Sequence, residues 1–254
     1  MNIALIGYGK MGRIIEQVAL QRKHTIVGRI DPSAADATAA NISAESIAHA
    51  DMCIDFSHPS AVLENLKKIS TLGKPVVVGT TGWSERLEEA RSIVQESKIG
   101  FLHASNFSIG MNVMFRVIES ASKLIDKFPE YDVAGYELHH SKKLDSPSGT
   151  AKSLIDILLK NIQRKKTVVA DAINGQIQPE TLHFASVRTG NIPGTHTILF
   201  DSAADTLEIT HTARNREGFA LGAVIAAEWL VHKKGFFTID DVMNDLMDDK
   251  TVND

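Results

Sequence analysis

The sequence predicts an α/β protein in which a doubly wound parallel sheet is followed by a second, α+β unit with a mixed sheet. Two observations carry this. The first hundred or so residues alternate short β-branched runs with longer stretches of helical spacing, the pattern of a parallel sheet covered by helices. After Asn106 the alternation stops, and strand-like runs follow one another without a helix long enough to act as a crossover, which calls for antiparallel or mixed pairing.

In the first unit, strands are predicted at Asn2 to Ile6, Thr25 to Ile30, Met52 to Asp55, Pro75 to Val78 and Gly100 to His103. Ile14, Ile15, Val18 and Ala19 mark one helix face between them, and Leu87, Ala90, Ile93 and Val94 mark another. Residues 33 to 50, rich in Ala, Ser and Asp with weak periodicity, predict a loose connection with room for one short helix. In the second unit a helix carrying Met111, Met114, Phe115, Ile118 and Ile125 leads to a strand from Tyr131 to Leu138, a polar loop and a helix starting near Ser148. Strands are then expected at Thr181 to Arg188, Thr195 to Phe200 and Leu207 to His211. Helices around Gly218 to Val231 and after Thr238 close the chain. Thr238 and Asp241 are spaced for a capping pair, and the acidic end from Asp248 to Asp254 is expected to fray.

Composition removes several function classes. At 254 residues and 43% hydrophobic content there is ample material for a buried core. A formal net charge of -4 gives no general attraction to nucleic acid or anionic lipid, so the expected partner is a small molecule. The single cysteine, Cys53, excludes an intrachain disulfide framework and a cysteine-based zinc site, and suits a reducing compartment. No apolar run approaches the roughly 18 residues that cross a bilayer, and Met1 leads directly into a strand-like run. The expectation is a cytoplasmic protein.

Gly7, Gly9 and Gly12 form G-x-G-x-x-G directly after the first strand and before a helix, the context that gives this pattern meaning. Such a loop turns tightly, lets backbone approach a pyrophosphate and packs helix closely on strand, with the helix N-terminus facing the phosphates. Asp31, nineteen residues beyond Gly12, stands where an acid can bind ribose hydroxyls, although Asp-Pro also opens turns. Arg29 would share a strand face with Asp31 and suits either a 2'-phosphate or solvent. These features point to a dinucleotide in a Rossmann-like unit and leave its identity open. At the same sheet edge lie Asp55-Phe56-Ser57, Gly79-Thr80-Thr81-Gly82 and His103-Ala104-Ser105-Asn106, whose small polar residues and exposed backbone suit a nicotinamide carboxamide.

The densest chemistry lies in Glu137-Leu138-His139-His140-Ser141-Lys142-Lys143-Leu144-Asp145-Ser146-Pro147-Ser148-Gly149-Thr150-Ala151. Paired histidines supply a proton near neutral pH, and a lysine shortly after donates a proton or fixes an anion. Pro147 and Ser148 announce a helix whose first amides, from Gly149 and Thr150, would point at a carboxylate with the Thr150 hydroxyl beside them. The same residues also suit a solvated basic loop ahead of a capped helix. Adjacent histidines point in different directions and no third ligand accompanies them at diagnostic spacing, so no metal site is expected. Nothing suggests an activated nucleophile.

This loop resembles the signature of the dihydrodipicolinate reductases: a His-His pair, a lysine four residues after the first histidine, and D-x-P-S-G-T-A in order. Similar family segments run nearly the whole length, among them Asp55-Phe56-Ser57, Gly79-Thr80-Thr81-Gly82, Asn106-Phe107-Ser108, Val187-Arg188-Thr189-Gly190, Gly194-Thr195-His196 and Ile209-Thr210-His211. The resemblance implies reduction of 4-hydroxy-tetrahydrodipicolinate to tetrahydrodipicolinate with loss of water, for diaminopimelate and lysine synthesis. It implies His139 as proton donor or acceptor, Lys143 as proton donor, and His140, Gly149 and Thr150 on the dicarboxylate substrate. Gly7, Tyr8, Gly9, Lys10, Met11, Gly12, Asp31, Gly79, Thr80, Thr81, His103, Ala104, Ser105 and Asn106 would hold NADH or NADPH, with Arg216 nearby. It further implies a dinucleotide-binding domain of residues 1–107 and 216–254, a substrate-binding and oligomerisation domain of residues 108–215, and homotetramers built through the second sheet.

Three features depart from the family pattern: a shorter glycine loop, Pro32 where some members carry an arginine for the 2'-phosphate, and Ala134-Gly135 upstream of the histidines. The second favours NADH at least as well as NADPH. Two other readings share part of this evidence. Another amino- or imino-acid dehydrogenase would keep the glycine loop without the His-Lys-Ser-Gly-Thr segment, and a non-catalytic nicotinamide sensor would not need His139 and Lys143.

Overall fold

The computed structural model describes residues 1–248. The chain divides into two compact units, Met1–Ile109 with the segment from Arg216 onward, and Gly110–Asn215. The expected acidic tail lies outside the described residues beyond Asp248.

The first unit holds β1 (Asn2–Ile6), α1 (Lys10–Gln21), β2 (Thr25–Ile30), β3 (Met52–Asp55), α2 (Val62–Thr71), β4 (Val76–Val78), α3 (Leu87–Ser97) and β5 (Gly100–His103), and the returning chain adds α6 (Glu217–Leu230), β11 (Gly235–Thr238) and α7 (Ile239–Asp248). Its six strands run in the order β11-β5-β4-β3-β1-β2, every pair parallel. Strand alternation divides the core in two. Ile3, Leu5, Met52, Ile54 and Leu102 face α1, α6 and α7, whereas Ala4, Ile6, Cys53, Val76 and Phe101 face α2 and α3. This is the doubly wound arrangement, with the strand order reversing at β1 and β3. At the last turn, Asp241 accepts hydrogen bonds from the Thr238 amide at 2.7 Å and its hydroxyl at 3.0 Å, so the expected capping pair forms.

Three details of this unit differ from the sequence expectations, and in the second unit strand β7 (Thr167–Val169) was also not expected. Helix α2 and strand β11 were not anticipated: α2 shows the right spacing in Val62, Leu63, Leu66 and Ile69, but β11 is a four-residue strand whose partner lies far back in sequence. Residues 33 to 50 form no helix and are not loose. They turn repeatedly, pair Ala39 with Ile30 in an isolated bridge, and bury Ile42, Ile47 and Ala50 in the second core.

The second unit contains α4 (Ile109–Ile125), which begins at the unit boundary, β6 (Asp132–His139), α5 (Gly149–Asn161), β7 (Thr167–Val169), β8 (Thr181–Arg188), β9 (Thr195–Asp201) and β10 (Thr206–Thr212). The sheet order is β10-β9-β6-β8-β7, with β6 parallel to β8 and antiparallel to β9, so the sheet is mixed. Met111, Met114 and Ile118 of α4 and Ala151, Leu154 and Leu158 of α5 cover one face through Val133, Phe184, Ile198 and Phe200. Tyr136, Leu138, Ala185, Val187 and Leu199 alternate onto the opposite face, where they stay partly or fully exposed.

Ile47 separates a packed from a loose 33–50 segment. It is 1% exposed, so Ile47→Ala is expected to destabilise the protein by about 2–5 kcal/mol, read as a lower urea midpoint. A midpoint unchanged from wild type would return the segment to the loose connection its composition suggested.

Candidate functional site

In the first unit the glycine loop is fixed by backbone contact. Gly7 has φ +85°, and a Cβ there would stand 2.4 Å from the Phe56 carbonyl oxygen; a Cβ on Gly12 would stand 2.3 Å from the Gly7 oxygen. Only glycine fits either place, and their closeness brings the start of α1 onto the ends of β1 and β3. Gly9 caps α1 without any side-chain hydrogen bond, and the space beside it is open. The helix therefore presents its first amides, a ready anion site. Two clefts adjoin it at the carboxyl ends of the strands. One of about 500 Å³ is lined by Gly7, Gly9, Asp31, Ser57, Asn65 and Lys68 among others. The other, about 310 Å³, is lined by Gly9, Lys10, Met11, Gly79, Thr80 and Thr81 with Phe56, Ser57 and Pro59.

Asp31 is placed at the first cleft, with its carboxylate already engaged. It accepts from the Tyr8 amide at 2.8 Å, the Ser33 amide at 2.8 Å and the Ala34 amide at 3.1 Å. Burial acts to raise its pKa, but the amides of Ser33, Tyr8 and Ala34 outweigh that and hold it below the usual carboxylate range. The turn-opening role of Asp-Pro is thus realised, and Asp31 also pins the glycine loop. Tyr8 is buried, with its hydroxyl on Glu16, so only its backbone faces the loop. Arg29 stays partly exposed and lines neither cleft: its guanidinium grips the buried Glu16 and lies near the Tyr8 ring. Sequence spacing gave no sign of Glu16, which reaches Arg29 from the neighbouring helix α1.

His103 ends β5, Ala104, Ser105 and Asn106 follow it, and none of the four lines either cleft. His103 is edge-on to Trp83 at 4.8 Å, and burial lowers its pKa. Arg216 immediately precedes α6. Asp55 holds this edge together: fully buried, it accepts from the Ser57 amide, Asn65 and Thr80 at 2.9 to 3.2 Å, and burial raises its pKa.

In the second unit β6 ends at His139, which is 6% exposed, while His140 is partly exposed. Two residues back on the same strand face lies Glu137, with 0% exposure. Its Oε1 accepts from the Ser148 amide at 3.0 Å, the Ser186 hydroxyl at 2.9 Å and Arg188 Nη2 at 2.9 Å. Its Oε2 stands 3.4 Å from His139 Nδ1 and 3.4 Å from His196 Nε2. Burial pushes the Glu137 carboxyl up, but His196, Ser148 and Arg188 pull it well below its ordinary range, so the group is a carboxylate. His139 is lowered to about 4 by burial, which the attraction of Glu137 only partly offsets.

The loop after β6 is tied to the turn after β8 by Thr189 N to His139 O at 2.9 Å and Ser141 N to Gly190 O at 3.2 Å. Lys143 donates to Asp145 at 2.7 Å. Ser148 caps α5 by accepting the Ala151 amide at 3.1 Å, so Gly149 and Thr150 form the first turn as expected. The absence of a third metal ligand does not survive folding, because strand pairing brings Glu137, His139 and His196 donors within 4.8 Å of one another. The chemistry of the cluster is nonetheless not that of a metal centre: the Arg188 guanidinium occupies the same carboxylate and would repel a divalent ion. Glu137, Arg188 and His196 carried no functional reading in the sequence. Glu137 was within reach through its period-two relation to His139, whereas Arg188 and His196 come from other strands.

Comparison with known proteins decides the family. Models of the dihydrodipicolinate reductase N-terminus and C-terminus match residues 1–107 and 110–243. The chain belongs to the dihydrodipicolinate reductase family. A 4-hydroxy-tetrahydrodipicolinate reductase of Christiangramia forsetii is 41% identical over 246 residues, covering 97% of this chain and 99% of the relative. Its Staphylococcus aureus counterpart is 37% identical over 248 residues, covering 95% and 100%. A solved dipicolinate-bound dihydrodipicolinate reductase from Paenisporosarcina sp. TG-14 shares the fold at TM-score 0.74 and 22% identity, covering 95% of this chain and 99% of that one. Family membership makes this chain a reductase that works with a nicotinamide dinucleotide. Among the described residues, no helix is long and apolar enough to cross a membrane.

Because Asp31 holds the glycine loop by its backbone, Asp31→Ala is expected to weaken NADH and NADPH together, each by roughly tenfold or more, the equivalent of one or two charge-assisted hydrogen bonds. Fluorescence titration of both cofactors checks this. Selective loss of NADH alone would show that Asp31 acts on the ribose and not on the loop.

Proposed function

We propose that this chain reduces 4-hydroxy-tetrahydrodipicolinate to tetrahydrodipicolinate with loss of water, in the diaminopimelate and lysine pathway. The observation that carries the reading is the grouping on one unit of His139, Lys143 and the Ser148-capped start of α5, set beside a buried carboxylate. Such a group matches a doubly carboxylated ring that must lose a hydroxyl. Lys143 protonates the departing hydroxyl, His139 moves the ring proton, and His140 with Gly149 and Thr150 binds carboxylate. The dinucleotide supplies the hydride. Gly7 to Gly12, Gly79 to Thr81 and His103 to Asn106 would hold it, with Asp31 positioning the loop. NADH serves at least as well as NADPH, since Arg29 is engaged by Glu16 and Pro32 offers no cation to a 2'-phosphate. The half-exposed apolar sheet face of the second unit supports assembly of a homotetramer, and the protein works in the cytoplasm.

Oxidation of reduced cofactor on addition of enzymatically prepared substrate tests the reaction directly. His139→Ala and Lys143→Ala are each expected to lower kcat by roughly two orders of magnitude with cofactor affinity unchanged. Wild-type turnover in both variants would remove their roles. Thr150→Val is expected to weaken binding of pyridine-2,6-dicarboxylate, a planar mimic of the ring, by about 1–3 kcal/mol, measured by calorimetry. Unaltered affinity would place Thr150 outside the site.

A further inference from the structure

We infer that Glu137 is a positioning residue which, through its Oε2, holds His139 with the ring proton on Nδ1 and the lone pair on Nε2, so that His139 enters the reaction as a base. This rests on the proposed reaction and adds the direction in which its proton moves.

The argument starts from hydrogen-bond capacity. Glu137 Oε1 is saturated by Ser148, Ser186 and Arg188, whereas Oε2 makes no hydrogen bond of ordinary geometry. His196 Nε2, also beside the Ser148 hydroxyl at 3.3 Å, stands 3.4 Å from it, and facing it too is His139 Nδ1, which is buried and has no other partner. Oε2 and His139 Nδ1 face each other at 3.4 Å. A carboxylate oxygen can only accept, so a proton on Nδ1 satisfies both atoms, and one on Nε2 would leave two lone pairs opposed inside the protein. At 3.4 Å the contact is long, as bonds in an unliganded site often are before a ligand tightens them. The other ring nitrogen has room: a side chain at Gly194 would put its Cβ 3.0 Å from His139 Nε2, and glycine leaves that approach open. The charged or titratable groups around the ring are Glu137 on its own strand, Arg188 on β8, His196 on β9 and Lys143 on the following loop. Two of these are fixed cations, so only Glu137 favours a positive charge on His139, and burial keeps the resting ring neutral.

A neutral ring with its lone pair on Nε2 accepts a proton. Loss of water then balances as follows. His139 Nε2 takes the proton from the ring carbon next to the one bearing the hydroxyl, and that C–H electron pair becomes the new C=C bond. The C–O bond breaks, and the departing oxygen receives a proton from Lys143 to leave as water. After the double bond has accepted hydride, the proton on His139 returns to the neighbouring carbon. His139 ends unchanged, and Lys143 is reprotonated from solvent.

Glu137→Gln tests this, since its amide N–H₂ facing Nδ1 would drive the ring proton to Nε2. The expected result is a kcat lower by roughly 100-fold or more with little change in KM or cofactor affinity, and an acidic limb of kcat/KM moved to lower pH because the favourable charge is gone. Glu137→Asp, which keeps the charge, should recover about tenfold of that loss. Independently of either variant's folding, histidine-selective ¹⁵N NMR of the wild-type protein should find His139 protonated at Nδ1, its signal assigned by disappearance in His139→Gln. A proton on Nε2, or a Glu137→Gln kcat within about twofold of wild type, would overturn the inference. Full turnover in His139→Gln would instead sink the proposed reaction role of His139 itself.

Discussion

A carboxylate with no exposure to water must find several hydrogen-bond donors or give up its charge, and Glu137 finds them on two different elements. Ser186 and Arg188 come from the parallel neighbour β8, and the Ser148 amide from the start of α5. His196, directly opposite Glu137 on the antiparallel neighbour β9, completes the surroundings. The mixed character of the second sheet therefore has a chemical consequence. A purely antiparallel meander would not flank β6 with these two strands in this register. Removing the carboxylate would strand Arg188 and disturb the capped helix start as well as the histidine, which makes Glu137 the point where fold and chemistry meet.

The first unit uses acids differently. Asp31 and Asp55 both lie at strand carboxyl ends and hold loops through their neighbours: Asp31 through three amides, Asp55 through an amide, an Asn and a Thr. Parallel strands leave their carboxyl ends without a local partner, and these side chains supply the missing order at the edge where a ligand sits. The anion site itself carries no fixed acid. It consists of the open space by Gly9 and the amides of α1, so negative charge on the loop side is confined to groups whose oxygens are already occupied.

Local pattern made much of this legible. The glycine loop could be placed because strand, turn and helix are contiguous, and the helix start at Ser148 because Pro, Ser and Gly stand together. Residues whose meaning depends on a distant partner were not legible. Arg29 stayed open between a 2'-phosphate and solvent because its partner Glu16 approaches from α1, and β11 has no identity apart from β5 beside it. The 33–50 segment looked loose because its buried residues, Ile42, Ile47 and Ala50, follow neither helical nor strand period, and turns can bury side chains without either. The convergence of Glu137 with His196 requires the β6–β9 register, which no local spacing encodes.

The loop after His139 adds one further constraint. Lys143 and the start of α5, the groups suited to an incoming carboxylate, already hold an internal one. Asp145 takes Lys143 Nζ at 2.7 Å, and its pKa is held below the usual range by Lys143 and by backbone amides including that of Gly149. Asp145 is half-exposed, its side chain 53% accessible, so water can replace what it gives up. On the proposed function, a ligand carboxylate at these donors would be exchanged for Asp145 and would not enter an empty site. The net gain is the difference between two carboxylate pairings, small for a single monocarboxylate with no further contacts. A rigid ring bearing two carboxylates offers a second anionic contact from the same molecule, at little added entropic cost, and so exceeds what Asp145 provides. On the proposed function, the pairing within the loop would favour a dicarboxylate, as would the number of cations it carries.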